Sequence, residues 1–244
     1  YKKGKNEFNN TIPDTATSVI FTDEKMPADA VSIDVDDDGD GGVVAWTENN
    51  GTVMKVSTQI AGVKVEAAES SGQMFYEQKK LITIDFSNFD TKNTTSMFRM
   101  FDNCNNLADL DISGFKTQNV TSMGYMFYYC ESLTGLDISG FDTQNVKNMG
   151  SMFSRCKNLT SLDVSDFNTQ NVTDMTAMFS GCNSLTSLNV SQFDTRKVTN
   201  MFYMFDSCKN LTSLGISEFD TQNVTNMSGM FSDCNNLISL DISR

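Results

Sequence analysis

The chain has 244 residues, a formal net charge of −13, 39% hydrophobic residues and no histidine. That charge argues against nucleic acid and anionic membrane surfaces as partners, because both would be repelled, and it favours cations or basic protein patches. No apolar run approaches the roughly 18–20 residues that span a bilayer, and the apolar content is too high for a disordered chain.

Residues 1–11 (YKKGKNEFNNT) read as a polar tail. From residue 12 to 70 the sequence predicts a small β-rich cap. Strand-like segments fall at 17–21, 31–35, 43–47, 52–58 and 62–65, and Asn50-Gly51 marks a hairpin between two of them. The expected form is a meander that covers the open apolar end of the chain's C-terminal region, with Trp46 packed in that interface.

Between these strands lies Asp34-Val-Asp36-Asp-Asp38-Gly39-Asp40. Alternate carboxylates followed by glycine are how a calcium loop begins. The position that should carry a bidentate glutamate holds Ala45, so a solvated acidic turn is the competing reading. Calcium is the one ion the sequence suggests, through Asp34, Asp36, Asp38 and Asp40; no other cofactor is expected.

From residue 71 to 244 one cycle governs the chain. Cys104, Cys130, Cys156, Cys182, Cys208 and Cys234 are each 26 residues apart. The cycle reads C-x-x-L-x-x-L-x-I/V-S-x-F-x-T-x-x-V-x-x-M-x-x-M-F-x-x. An imperfect unit precedes the first cysteine, with Gln78 and Thr94 in the cysteine and valine places, and the last is cut short, so about seven units are counted. Native sequence is expected to continue past Arg244. Self-association through that open last unit is a second expectation, because its leucine and isoleucine side chains would be uncovered.

Within a unit, Leu159, Leu162 and Val164 suggest a short strand. Val172, Met175, Met178, Phe179 and Cys182 follow the stripe of one helical face, with Asn168-Thr169 as turn and N-cap. The predicted fold is therefore α/β: a solenoid with a parallel sheet on one wall and short helices on the other. Phe115, Phe141, Phe167, Phe193 and Phe219 should form its spine. The cysteines sit at identical positions of parallel rungs, a poor geometry for bonding to one another, so buried free thiols are expected.

The 26-residue cycle, with text such as FDTQNVTNMSGMFSDCNNLISLDIS, resembles the BspA-like leucine-rich repeats of bacterial surface proteins. The segment DGGVVAWTENNGTVMKVSTQ resembles the β-rich lead-in of that family. The resemblance implies an extracellular, secreted or wall-attached protein that adheres to host matrix or neighbouring cells.

Two outward features are candidate binding residues. Asp111, Asp137 and Asp163, with Asp85 and Asp241, recur on the strand face as an acidic stripe, which either draws a cation or basic partner or is accommodated by solvent and the neighbouring serines. Tyr125, Tyr128 and Tyr129 cluster on the other wall, with Phe202 and Tyr203 further along. Ordinary drift at solvent-facing positions is the competing reading of these aromatics. No catalytic residues stand apart from the repeat, so an enzyme is not expected. The leading function is a surface module that binds a protein ligand on a host or neighbouring cell; the alternative is a stalk or spacer.

Overall fold

A computed structural model describes residues 7–35 and 41–242. The chain is mostly β and almost free of helix: among the described residues the only helical segments are single 3-10 turns at Asn9–Thr11 and Asn49–Gly51. The strands in chain order are Ser18–Thr22 (β1), Ile33–Asp34 (β2), Val44–Glu48 (β3), Val53–Ser57 (β4), Val65–Glu66 (β5), Thr83–Asp85 (β6), Phe89–Asp90 (β7), Asp109–Leu110 (β8), Ser213–Gly215 (β9) and Ser239–Asp241 (β10).

The hairpin forms where the sequence places it. Asn49, Asn50 and Gly51 all take left-handed φ, between 52° and 79°, and β3 and β4 run antiparallel on either side. Asparagine and glycine are the residues for which that region costs least. The expected meander is not what forms. β1 lies between β4 and β6 and is parallel to both, within a six-stranded sheet ordered β2-β3-β4-β1-β6-β8. The reason is apolar: Val19 and Phe21 extend the repeat core, and Phe21 meets Phe86 and Phe89 at ring separations of 5.5 and 4.4 Å.

Two further expectations about this region are corrected. Of the expected polar tail, residues 1–6 lie outside the described residues, and Phe8 and Asn9 are packed rather than loose. Phe8 is buried against Phe21 and Phe75, and the Asn9 amide donates to the carbonyls of Gln73 (3.0 Å) and Tyr76 (2.7 Å). Asn9 thereby satisfies carbonyls that the first unit would otherwise leave open. Trp46 is buried but lies outside the continuous core, because strand alternation turns Ala45 inward and Trp46 to the other face. Its indole N–H donates to Glu48 (3.0 Å), and its cross-strand neighbour Lys55 pairs with Glu24 and Glu48.

The repeat units stack with an offset of 26 residues. A parallel bridge series runs Ser70, Ser96, Ser122, Asn148, Asp174, Asn200, Asn226. The predicted helices are absent. Where they were expected, the amides of Met175, Ala177, Phe179 and Gly181 donate to Asn200, Phe202, Met204 and Asp206 of the following unit, at 2.7–3.0 Å. The intervening amides of Met178, Ser180 and Cys182 close turns on residues three back, at 3.1–3.2 Å. Successive three-residue turns bring the same side chains inward as a helix does, so apolar spacing cannot separate the two. Two features decide it. Ala177 and Gly181 have positive φ, which a right-handed helix excludes. The Thr, Asn, Asp, Ser and Gly residues of the segment are also poor helix formers.

The strand wall differs as well. Paired strands occur in the first two units (β6, β8) and the last two (β9, β10), while the corresponding segments of the units between form no paired strand. β5 pairs only with β7.

The spine is a different phenylalanine column from the expected one. Phe115, Phe141, Phe167, Phe193 and Phe219 are buried, but the face-to-face stack consists of Phe75, Phe101, Phe127, Phe153, Phe179, Phe205 and Phe231. Its centroids are 5.5–5.8 Å apart with ring planes within 9° of parallel. Beside it stands a hydroxyl ladder. The buried Thr117, Thr143, Thr169 and Thr195 each donate to a carbonyl of the next unit, at 3.0–3.1 Å. Thr169 is thus a rung and not a helix cap.

All six cysteines are free, and each thiol donates to a phenylalanine carbonyl 29 residues earlier, as Cys156 does to Phe127 (3.1 Å). Burial pushes Cys156 and Cys208 up to about 12.

Candidate binding surface

The turn wall carries its outward residues in vertical columns, one residue per unit. One column reads Gln73, Arg99, Tyr125, Ser151, Ala177, Tyr203, Gly229, and every member has left-handed φ, between 50° and 65°. Another reads Glu77, Asn103, Tyr129, Arg155, Gly181, Ser207, Asp233, also with positive φ throughout. The turn geometry imposes that conformation, and glycine is the residue it suits best. Bulky side chains there cost on the order of 1 kcal/mol each.

Tyr125, Tyr128 and Tyr129 are brought together as the sequence suggests. Tyr125 meets Tyr128 edge-on at 5.2 Å and Tyr128 meets Tyr129 at 4.6 Å. Phe98 joins at 5.8 Å from Tyr125. The Arg99 guanidinium lies over Tyr125, Phe98 and Tyr76 at 4.8, 5.4 and 5.9 Å. Beneath it Asp102 is buried; burial raises its carboxyl to about 6, against the lowering effect of Arg99 at 3.5 Å and of the Asn103 amide. Phe202 and Tyr203 form a second aromatic pair, 4.1 Å apart, with the Tyr203 ring over Gly229.

Between the two aromatic groups lies a groove of about 520 Å³. Tyr125 and Tyr128 border one end and Tyr203 the other; Ser151, Ser154, Ala177 and Ser180 line the stretch between, with Arg155 and Asp206 beside them. The sequence pattern marks both aromatic walls but not the floor between them. Small residues in the same columns as the tyrosines, two units running, are the signal that identifies it.

The acidic stripe lies exposed on the opposite wall. The Asp111 carboxylate accepts from the amide and hydroxyl of Ser113, and Asp137 and Asp163 accept likewise from Ser139 and Ser165, at 2.7–3.1 Å. Those donors hold all three carboxyls below their usual range. Asp85 and Asp111 line a cleft of about 410 Å³ together with Lys64. Of the calcium-loop residues, Asp34 is in β2 and exposed, while Asp36, Asp38 and Asp40 lie outside the described residues.

No helix among the described residues is long and apolar enough to cross a membrane. The chain resembles two solved leucine-rich-repeat structures. One is the leucine-rich-repeat protein of T. pallidum, at 16% identity and a TM-score of 0.37, covering 93% of this chain and 70% of that one. The other is a leucine-rich cell surface protein of Faecalibacterium prausnitzii, at 14% identity and a TM-score of 0.21, covering 93% of this chain and 88% of that one. No curated protein matches. The profile of DUF285, described as a Mycoplasma protein of unknown function, matches residues 46–161 and 151–244. With that profile covering residues 46–244, every repeat included, the chain belongs to the DUF285 family, of BspA-like leucine-rich-repeat type.

Proposed function

We propose that this chain is a non-catalytic, surface-displayed interaction module: a repeat solenoid whose turn wall binds a protein ligand on a host matrix or neighbouring cell. The observation that carries this reading is the placement of Tyr125, Tyr129 and Tyr203 at left-handed positions where glycine is least costly. Side chains that oppose their own backbone preference point to a use other than holding the stack together. Their arrangement around a groove with a small-residue floor gives that use a place. Large, rigid aromatic side chains with a polar tip are also what protein contacts favour.

The acidic wall is assigned no ligand of its own, because each central carboxylate is already held by its serine. Calcium at the Asp34–Asp40 segment is kept as an arm of the test.

The experiment is saturable binding of the purified chain to a panel of extracellular-matrix proteins and intact cells, with calcium and with chelator. Binding that falls at least tenfold in the Tyr125→Ala/Tyr203→Ala double variant supports the module. Absence of binding across the panel would leave a stalk or spacer, and binding that survives the double variant would move the site to another wall.

A further inference from the structure

The groove on the turn wall is electrically polarised, and its two ends carry opposite charge. Arg155 lies beside the Tyr128 end. Gly181 of the next unit, which has no side chain, lies directly under its aliphatic stem: a Cβ there would come within 2.9 Å of the Arg155 Cδ. The side chain can therefore lie flat over that unit. Among the described residues the Arg155 guanidinium has no hydrogen bond or ion pair. Arg99, by contrast, is held by three rings and by Asp102. At the Tyr203 end stand Asp206 and Asp233. Asp206 accepts from the hydroxyls of Ser180 (3.0 Å) and Ser207 (3.3 Å), which aim its carboxyl group, and among the described residues it has no cationic partner.

The spacing follows from the stack. Tyr125 and Tyr203 are three units apart, roughly 14 Å at the usual strand separation of about 4.8 Å. Arg155 and Asp206 are about two units apart, or roughly 10 Å. An extended polypeptide advances about 3.3 Å per residue, so it spans the aromatic walls in about four residues and the two charges in about three.

We propose that this groove binds an extended peptide segment carrying an acidic side chain about three residues from a basic one. The acid pairs with Arg155, the base with Asp206 and Asp233, and the tyrosine rings flank the chain between and beyond them. A polypeptide suits a two-signed groove because it can carry both signs along one chain, which an acidic polysaccharide does not. Arginine is also the side chain best shaped to grip a carboxylate through paired N–H groups. This inference rests on the reading of the turn wall as an interaction surface and supplies its ligand class.

The test uses the whole chain and blocked hexapeptides of serine, threonine and leucine, titrated by NMR or fluorescence anisotropy. One set carries Glu at position 2 and Lys at position 5; others carry Gln/Gln, Glu/Glu or Lys/Lys there. An acidic tetrasaccharide is the competing probe. The Glu/Lys peptide should bind at least tenfold more tightly than the Gln/Gln peptide. Arg155→Glu should remove that advantage and raise affinity for the Lys/Lys peptide above the wild-type value, and Arg155→Gln should remove the advantage without the switch. Circular dichroism confirms that the variants fold, and Asp206→Asn/Asp233→Asn should selectively weaken the peptides that carry lysine.

Equal affinity for Glu/Lys and Gln/Gln peptides, indifference to both Arg155 variants, or preference for the tetrasaccharide would each overturn the proposal. Failure of the peptides while cell or matrix binding still depends on Tyr125 and Tyr203 would remove only the ligand class. Absence of cell and matrix binding as well would remove the interaction reading itself.

Discussion

Removing one ring from the middle of the phenylalanine stack tests whether stability passes from unit to unit. Phe153 is fully buried between Phe127 at 5.7 Å and Phe179 at 5.8 Å, with planes within 7° of each. A buried aromatic side chain hides about 150–250 Å², which at about 25 cal/mol per Å² corresponds to about 4–6 kcal/mol. Alanine keeps part of that and the wall relaxes only partly into the hole, so Phe153→Ala should cost about 3–5 kcal/mol. Phe231 occupies the same column at the end of the stack, is half-buried and has one stacked neighbour, Phe205, at 5.8 Å. Phe231→Ala should therefore cost about 1–2 kcal/mol. Urea unfolding followed by circular dichroism reads both. With a slope of about 2–3 kcal/mol per molar, the Phe153→Ala midpoint should fall by about 1–2.5 M, and that of Phe231→Ala by about 0.3–1 M. Equal losses for the two variants, or a loss below about 1 kcal/mol at Phe153, would refute the view that each unit is stabilised by its two neighbours.

The thiols make a second prediction. Burial raises the folded-state pKa of the cysteines, Cys156 and Cys208 to about 12, while unfolded thiols ionise near about 8.5. Above that pH the unfolded chain loses protons that the folded chain keeps, so stability should fall steadily between about pH 8 and 11. In native protein, Cys234, the least buried of the six, should react first with a thiol reagent. A pH-independent midpoint across that window, or uniform thiol reactivity, would count against the buried column. A third prediction concerns Asp102, whose carboxyl burial raises to about 6. The folded chain takes up a proton there before the unfolded chain does, so stability should rise as pH falls from about 7 towards the unfolded value near 4. Asp102→Asn should flatten that part of the profile, and an unchanged slope would refute the assignment. Finally, Asn9→Ala should cost about 1–2 kcal/mol by leaving the carbonyls of Gln73 and Tyr76 without their donor. Loss of residues 1–11 with no change in melting temperature would contradict that role.

The 26-residue cycle, the cap strands, the Asn-Gly hairpin and the free buried thiols were all legible in the residues, because each depends on local pattern or on identical positions recurring. Side-chain spacing also named which residues face inward. It could not say what path the backbone takes between them. Val172, Met175, Met178, Phe179 and Cys182 satisfy a helical stripe and a run of three-residue turns equally well. The choice depends on where the amides find acceptors, and here Ala177 and Phe179 find theirs in the next unit. The same limit hid the phenylalanine stack and the threonine ladder, which exist only between units. On the binding surface the sequence showed Tyr125, Tyr128, Tyr129, Phe202 and Tyr203 as two separate clusters. Stacking placed three units between Tyr125 and Tyr203, put Ser151 and Ala177 in the gap, and laid Arg155 over Gly181. Composition and period determined that the chain builds a stack of repeats; the tertiary structure alone decided that alternate amides bond to the next unit and that a groove opens on the turn wall, because both arise from contacts between neighbouring units.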